Sequence, residues 1–180
     1  GRLSILRQNA ERMEREERWP EVLKTCTEAL SLDSNAAFAS SCKEQARLRV
    51  ELDNRFAAIF AKPERLFTEG PRKEARQTLR YASQFSPRGP ILASQMDRLD
   101  ALVSEAEAEL EVVIMSDGLT DVAIYHVGRL GLFQEKQLVL RTGNYTATGS
   151  RNGFRDVRQT LKVRPGSGKM VFTLRCEEPI

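Results

Sequence analysis

Apolar residues recur at three- and four-residue steps through residues 1–110 and change to a period of two, in short runs broken by turn residues, from Val112. The first pattern predicts helices, and the second predicts strands separated by turn residues. In RWPEVLKTCTEALSLDSN, Val22, Leu23, Cys26, Ala29 and Leu30 make one apolar helical face. Pro20 suits a first helical turn, and Asp33, Ser34 and Asn35 end the helix and can cap the next. Leu6, Ala10 and Met13 predict a helix before it. A long helix is expected over residues 36–61, with Phe38, Cys42, Ala46, Leu52, Phe56 and Phe60 near one face. Pro63 then starts a short helix expected to stop at Gly70-Pro71, and another helix follows over 72–85. The last helix opens at Pro90. Its seam of Leu92, Met96, Leu99, Val103, Ala106 and Leu110 is expected to pack on the helix of 72–85, with a homodimer seam as the alternative. No flexible linker separates this helix from the strands.

Six strand-like runs follow: VVIM, DVAIYHV up to Gly128, KQLVLR, YTATGS, VRQTLKVR and KMVFTLRC. The turns between them are SDG, Thr142-Gly143-Asn144, Asn152-Gly153 and the RPGSGK stretch. The expected fold class is α+β, with a helical domain at 1–110 followed by a small antiparallel all-β sandwich at 111–180. Glycines 128, 131, 143, 153, 166 and 168 are expected to supply the backbone angles of its turns.

Charge separates the same two regions. The chain carries a net charge of +3. Residues 1–110 hold 18 basic and 18 acidic side chains, whereas residues 111–180 hold ten basic and seven acidic. Much of that excess lies in SRNGFRDVRQTLKVR, where Arg151, Arg155, Arg158, Lys162 and Arg164 are candidate binding residues. Arg158, Lys162 and Arg164 share strand parity and are expected to form a basic stripe able to receive a phosphate, an acidic glycan or an acidic protein. Exposed aromatics interleaved with these cations are few, which disfavours nucleic acid.

Candidate chemistry is sparse. His126 is the only histidine and falls within an expected strand, and no nucleophile–His–acid or metal-ligand spacing accompanies it. RPGSGK joins two strands and lacks the strand–loop–helix setting of a phosphate loop. No catalytic residue, metal or cofactor is expected. Cys26 and Cys42 flank a helical hairpin, so they are either buried free thiols or a disulfide, which would imply an oxidising compartment. No apolar run approaches the roughly 20 residues of a membrane helix. The chain starts in mid-helix at Gly1 and reads as a fragment, so membrane attachment is expected only through a segment outside it.

Residues 3–35 resemble a tetratricopeptide repeat. Trp19, Val22, Cys26, Ala29, Leu30, Leu32 and Asp33 fall on the positions of its second helix, and Leu6, Ala10 and Met13 on those of its first. Ser34 replaces the usual turn proline. Ala75, Leu79, Ala82 and Pro87 repeat the spacing at an offset of 53 residues, which is not a multiple of the family's period of about 34. The stretch from Val122 to Leu174 resembles a PEGA-type domain in AIYHVGRLG, LVLRTGNYTA and SRNGFRDV, with Tyr145 and Phe154 on its aromatic positions. Thr142 replaces a proline there, and SDGLTDV stands in the tetrapeptide region. These resemblances imply a non-catalytic scaffold that binds a protein partner through its helical repeats. They place it on the periplasmic or extracytoplasmic side of a bacterial envelope, with the cytoplasm as the alternative. The other expected functions are a peptidoglycan- or glycan-binding module using the basic β face, and an accessory domain of a cytoplasmic kinase or regulator.

Overall fold

The computed structural model describes residues 1–166 and 168–180; Ser167, in the RPGSGK turn, lies outside them. The chain is α+β, helices first and strands after. It forms two compact units, Gly1–Arg65 with Lys73–Ala101, and Leu66–Arg72 with Leu102–Ile180.

In the helical unit, α1 (Arg2–Arg15) and α2 (Trp19–Leu32) form a hairpin against the start of α3 (Ala37–Ala61). The apolar faces expected from the sequence are the buried ones. Leu6, Ala10 and Met13 of α1 meet Trp19, Val22, Cys26 and Ala29 of α2 and Ala39, Cys42 and Ala46 of α3. The alanines let the backbones approach closely, and Cys26 and Cys42 are joined in a disulfide between α2 and α3.

A 3-10 turn, Pro63–Phe67, precedes α4 (Glu69–Ala82). Gly70 and Pro71 therefore lie in the first turn of α4, where proline's missing N–H costs no hydrogen bond, and they do not end a helix as expected. The last helix, α5, spans Gly89–Glu107. Two of its side chains reach α3. Gln95 donates to Asp53 of α3 at 3.3 Å, and Arg98 stacks on Phe60 of α3 at 4.1 Å. The long α3 is thus the partner of α5 as well as of the hairpin.

Two charges buried beside α3 organise this unit. The Arg49 and Glu17 side chains are 2% and 5% exposed and lie 3.6 Å apart. The guanidinium sits 4.5 Å from the Trp19 ring and 5.3 Å from the Phe85 ring, and donates to the carbonyls of Pro87 and Arg88 at 3.3 and 3.4 Å. Burial pushes the Arg49 guanidinium below its ordinary value, opposed by the charges of Glu17 and Asp53. The Glu17 carboxylate accepts from the backbone N–H groups of Ile91 (2.7 Å) and Leu92 (2.9 Å), which have no partner within the first turn of α5. Gly89 is required at this junction. Its φ is +73°, and an added Cβ would stand 2.5 Å from the Glu17 carboxyl carbon.

The second unit is a two-sheet β-sandwich. Its strands are β1 (Glu109–Met115), β2 (Asp121–Ile124), β3 (Gly128–Gly131), β4 (Glu135–Arg141), β5 (Gly143–Ser150), β6 (Val157–Val163) and β7 (Met170–Thr173). One sheet has the order β4-β1-β7 and the other β3-β2-β5-β6. Pairing is antiparallel except between β1 and β7, which are parallel. The core draws Val112, Ile114 and Leu140 from the first sheet and Val122, Ile124, Ala147, Leu161 and Val163 from the second. Leu110, expected in the last helix, belongs to β1.

The expected strand DVAIYHV is instead β2, a turn and β3, so the described residues form seven strands where six were expected. Gly143 is a strand residue, not a turn. The chain changes sheet at Thr142, which donates through its backbone N to Ala108 (3.2 Å) and through its hydroxyl to the Glu105 carbonyl (3.2 Å). Neither Gly143 nor Gly166 takes the left-handed backbone angles expected of them. Gly149 is needed for space, since an added Cβ would fall 2.7 Å from Thr120 and 2.9 Å from Val157.

Two outcomes follow for the helical unit. Glu17→Ala leaves Arg49 buried without its anion and frees the first turn of α5, and is expected to cost about 3–5 kcal/mol in urea unfolding. Reducing the 16-residue-separated Cys26–Cys42 bond is expected to lower stability by about 3 kcal/mol, read from the shift of the same transition with and without dithiothreitol.

Candidate functional site

Strand parity sorts the side chains of the four-stranded sheet. Odd positions of β5 and β6 and even positions of β2 face the core, so Ala123, Thr146, Thr148, Arg158, Thr160 and Lys162 line the outer face. Thr148 stands beside both Ala123 and Arg158, Thr146 beside Thr160, and Asn144 beside Lys162. Of the expected stripe of Arg158, Lys162 and Arg164, the first two lie within β6 on one face. Arg158 and Lys162 lie exposed on this outer face. Arg164 lies just past β6 and is tied to the neighbouring β5. It donates to the carbonyls of Gly143 and Val163, both at 3.0 Å, and to Asn144 Oδ1 at 2.8 Å, and stacks on Phe67 at 4.0 Å. Arg151 stacks on Phe154 at 3.9 Å and faces Asp117 at 3.9 Å. Arg155 is exposed in the β5–β6 connection, and its backbone N donates to the Glu178 carbonyl.

A cleft of about 580 Å³ opens on the outer face, floored by Ala123, Thr146 and Thr148. Arg158 borders it from β6, and Tyr125, His126 and Val127 border it from the β2–β3 turn. His126 is therefore not the strand residue expected. It has φ +63°, and Val127 N donates back to the Ile124 carbonyl to close the turn. Tyr125 stays registered to the sheet through its backbone N to the Thr146 carbonyl (2.8 Å) while its side chain is 70% exposed. The two rings lie 4.2 Å apart. Two successive exposed aromatic rings beside a guanidinium and two hydroxyls can hold a polar ligand that has an apolar face. Reading DVAIYHV as one strand hid this cleft. The signal that marks it is Gly128 closing a tight turn between two short strands.

Cation partners differ across the face. Arg129 makes a two-point contact with Asp121, at 2.7 and 3.2 Å, which holds the guanidinium above its ordinary value. Among the described residues Arg158 has no ion pair or side-chain hydrogen bond.

In the helical unit, a smaller groove of about 230 Å³ runs between α1 and α3. Arg7, Glu11 and Glu14 line one side, and Phe38, Ser41 and Gln45 the other, with Cys42 of the disulfide at its base. Arg7 pairs with Glu11 at 3.1 Å and covers the Phe38 ring at 5.5 Å. Burial raises the Glu14 carboxyl above its ordinary value, and Glu11 adds to the effect.

The SDG turn before the cleft strands holds one perturbed acid. Burial pushes Asp117 upward. Hydrogen bonds from Leu119 N, Thr120 N and Thr120 Oγ1, with the charge of Arg151, outweigh this and hold it below the ordinary carboxylate value. A lowered folded-state value stabilises the fold above the ordinary Asp range near 3.9, and that stabilisation is lost as pH falls through the lowered value. The β unit is therefore expected to lose thermal stability on acidification from pH 7 toward pH 2. Asp117→Asn should lose less over the same range, as read by melting temperature.

No protein-family model matches the chain, and no curated protein matches it.

Proposed function

We propose that this chain is a non-catalytic binding scaffold working in an oxidising, extracytoplasmic compartment of a bacterial envelope. The Cys26–Cys42 disulfide is the observation that carries the reading. Cytosolic thiol buffers keep such a bond reduced, whereas envelope compartments preserve it. The bond ties α2 to α3 beneath the groove between α1 and α3, so the compartment and the integrity of a binding surface are linked in one feature. The tetratricopeptide resemblance supports the same role, since a helical hairpin of this kind offers a groove to a partner segment. The PEGA resemblance of the β unit supports an envelope location, and that unit supplies a second, separate binding face.

Groove binding predicts a position-dependent contact. A photo-cross-linking residue at Ser41, inside the groove, is expected to give a discrete protein adduct in an envelope fraction of the producing cell. The same residue at exposed Ser31 of α2 should not. Dithiothreitol should weaken the Ser41 adduct. Equal labelling at both positions, or an adduct unaffected by reduction, would overturn the reading.

A further inference from the structure

We propose that the cleft bordered by Tyr125, His126 and Arg158 binds a carboxylate-bearing oligosaccharide. The inference rests on reading the β unit as a binding face, and it names that face's ligand.

The cleft volume of about 580 Å³ lies within the usual range of small-ligand sites, about 300–1,000 Å³. Three features of its lining select the ligand. First, the Arg158 guanidinium borders the cleft without an ion pair among the described residues, unlike Arg129, Arg151 and Arg164, each of which has a partner. A planar guanidinium offers two parallel N–H donors to a carboxylate. Second, Thr146 and Thr148 place hydroxyls on the floor, each able to donate and accept, as the hydroxyls of a sugar require. Third, Tyr125 and His126 present adjacent rings at the rim, where the apolar C–H face of a sugar ring can rest. The turn that displays them holds His126 in a left-handed conformation, which a non-glycine residue adopts at some cost.

The position of the cleft argues against a peptide. Extended peptides bind sheets at their edges, where strand N–H and C=O groups are free. The floor of this cleft lies on β2 and β5, which are each paired on both sides, and the edge strand β6 contributes only Arg158 to its border. On that floor a peptide backbone would find no ladder to join, whereas a saccharide needs only side chains.

The test is an NMR titration of the full chain with trigalacturonate, with glucuronate- and N-acetylmuramate-bearing oligosaccharides, and with neutral galactotriose and the methyl ester of trigalacturonate. At least one acidic oligomer is expected to saturate below about 10 mM, with shifts at Tyr125, His126, Thr146 and Thr148. Esterification and Arg158→Gln should each weaken binding about tenfold or more. Tyr125→Ala should weaken it similarly, and Arg155→Gln, outside the cleft, should leave it unchanged. These substitutions are at exposed positions, and an unchanged spectrum of the free variants verifies the fold. Silence from every acidic oligomer overturns the proposal. So does full binding in Arg158→Gln, equal binding of acid and ester, or tighter binding of a short acidic peptide at the same residues. None of these outcomes affects cross-linking at Ser41, so failure here and failure of the scaffold reading are separately visible.

Discussion

The contact between Glu17 and Arg49 is the constraint on which the helical unit depends. Each charge alone would be untenable at such burial, and the pair is retained because both members also satisfy backbone groups. Arg49 serves the Pro87 and Arg88 carbonyls, and Glu17 serves the Ile91 and Leu92 N–H groups. Glu17 sits in the α1–α2 turn with φ +55°, and Arg49 is midway along α3. A turn near the N-terminus thus fixes where a helix more than 70 residues later begins. Gly89 follows from the same contact, since only a residue without a Cβ fits beside the carboxylate.

The disulfide acts about two turns earlier on the same face of α3. It ties α2 to the first turns of α3, while Arg49 gathers the segment entering α5 against the middle of the same helix. The two devices divide the labour by distance in sequence. The covalent bond closes a short loop, and the ion pair closes a long one. Small residues make the close approach of α1, α2 and α3 possible, with Ala10, Ala29, Ala39 and Ala46 nearly or wholly buried.

Local pattern revealed much of this fold because most of its elements bury one regular face. The helices over Trp19–Leu32 and Ala37–Ala61, the change from helical to alternating period, and the SDG turn all follow from residues close in sequence. What stayed hidden depends on distant partners. Nothing near Arg49 in the chain marks it as buried, because its aromatic and carbonyl partners come from residues 19 and 85–88. Leu110 continues the helical seam by spacing, yet hydrogen bonding to β4 claims it for a strand. Tyr125 and His126 continue the alternation of β2, yet the strand ends at Ile124 and the left-handed turn at His126 leaves both rings at a rim.

The basic segment illustrates the same limit at the level of function. Sequence parity places Arg158, Lys162 and Arg164 together, and strand geometry does put the first two on one face. Whether a cation is available to a ligand depends on what lies beside it in space. Arg164 ends next to a carbonyl of β5 and the ring of Phe67, and is consumed in holding the end of β6 to β5. Arg151 is drawn to Asp117 in the turn that orders the start of β2. Arg158 has threonine opposite it where these others have an acid or a carbonyl, and hydroxyls leave its charge uncancelled. The proposed binding therefore turns less on the count of positive charges than on Arg158, which borders the cleft and has no charge partner among the described residues.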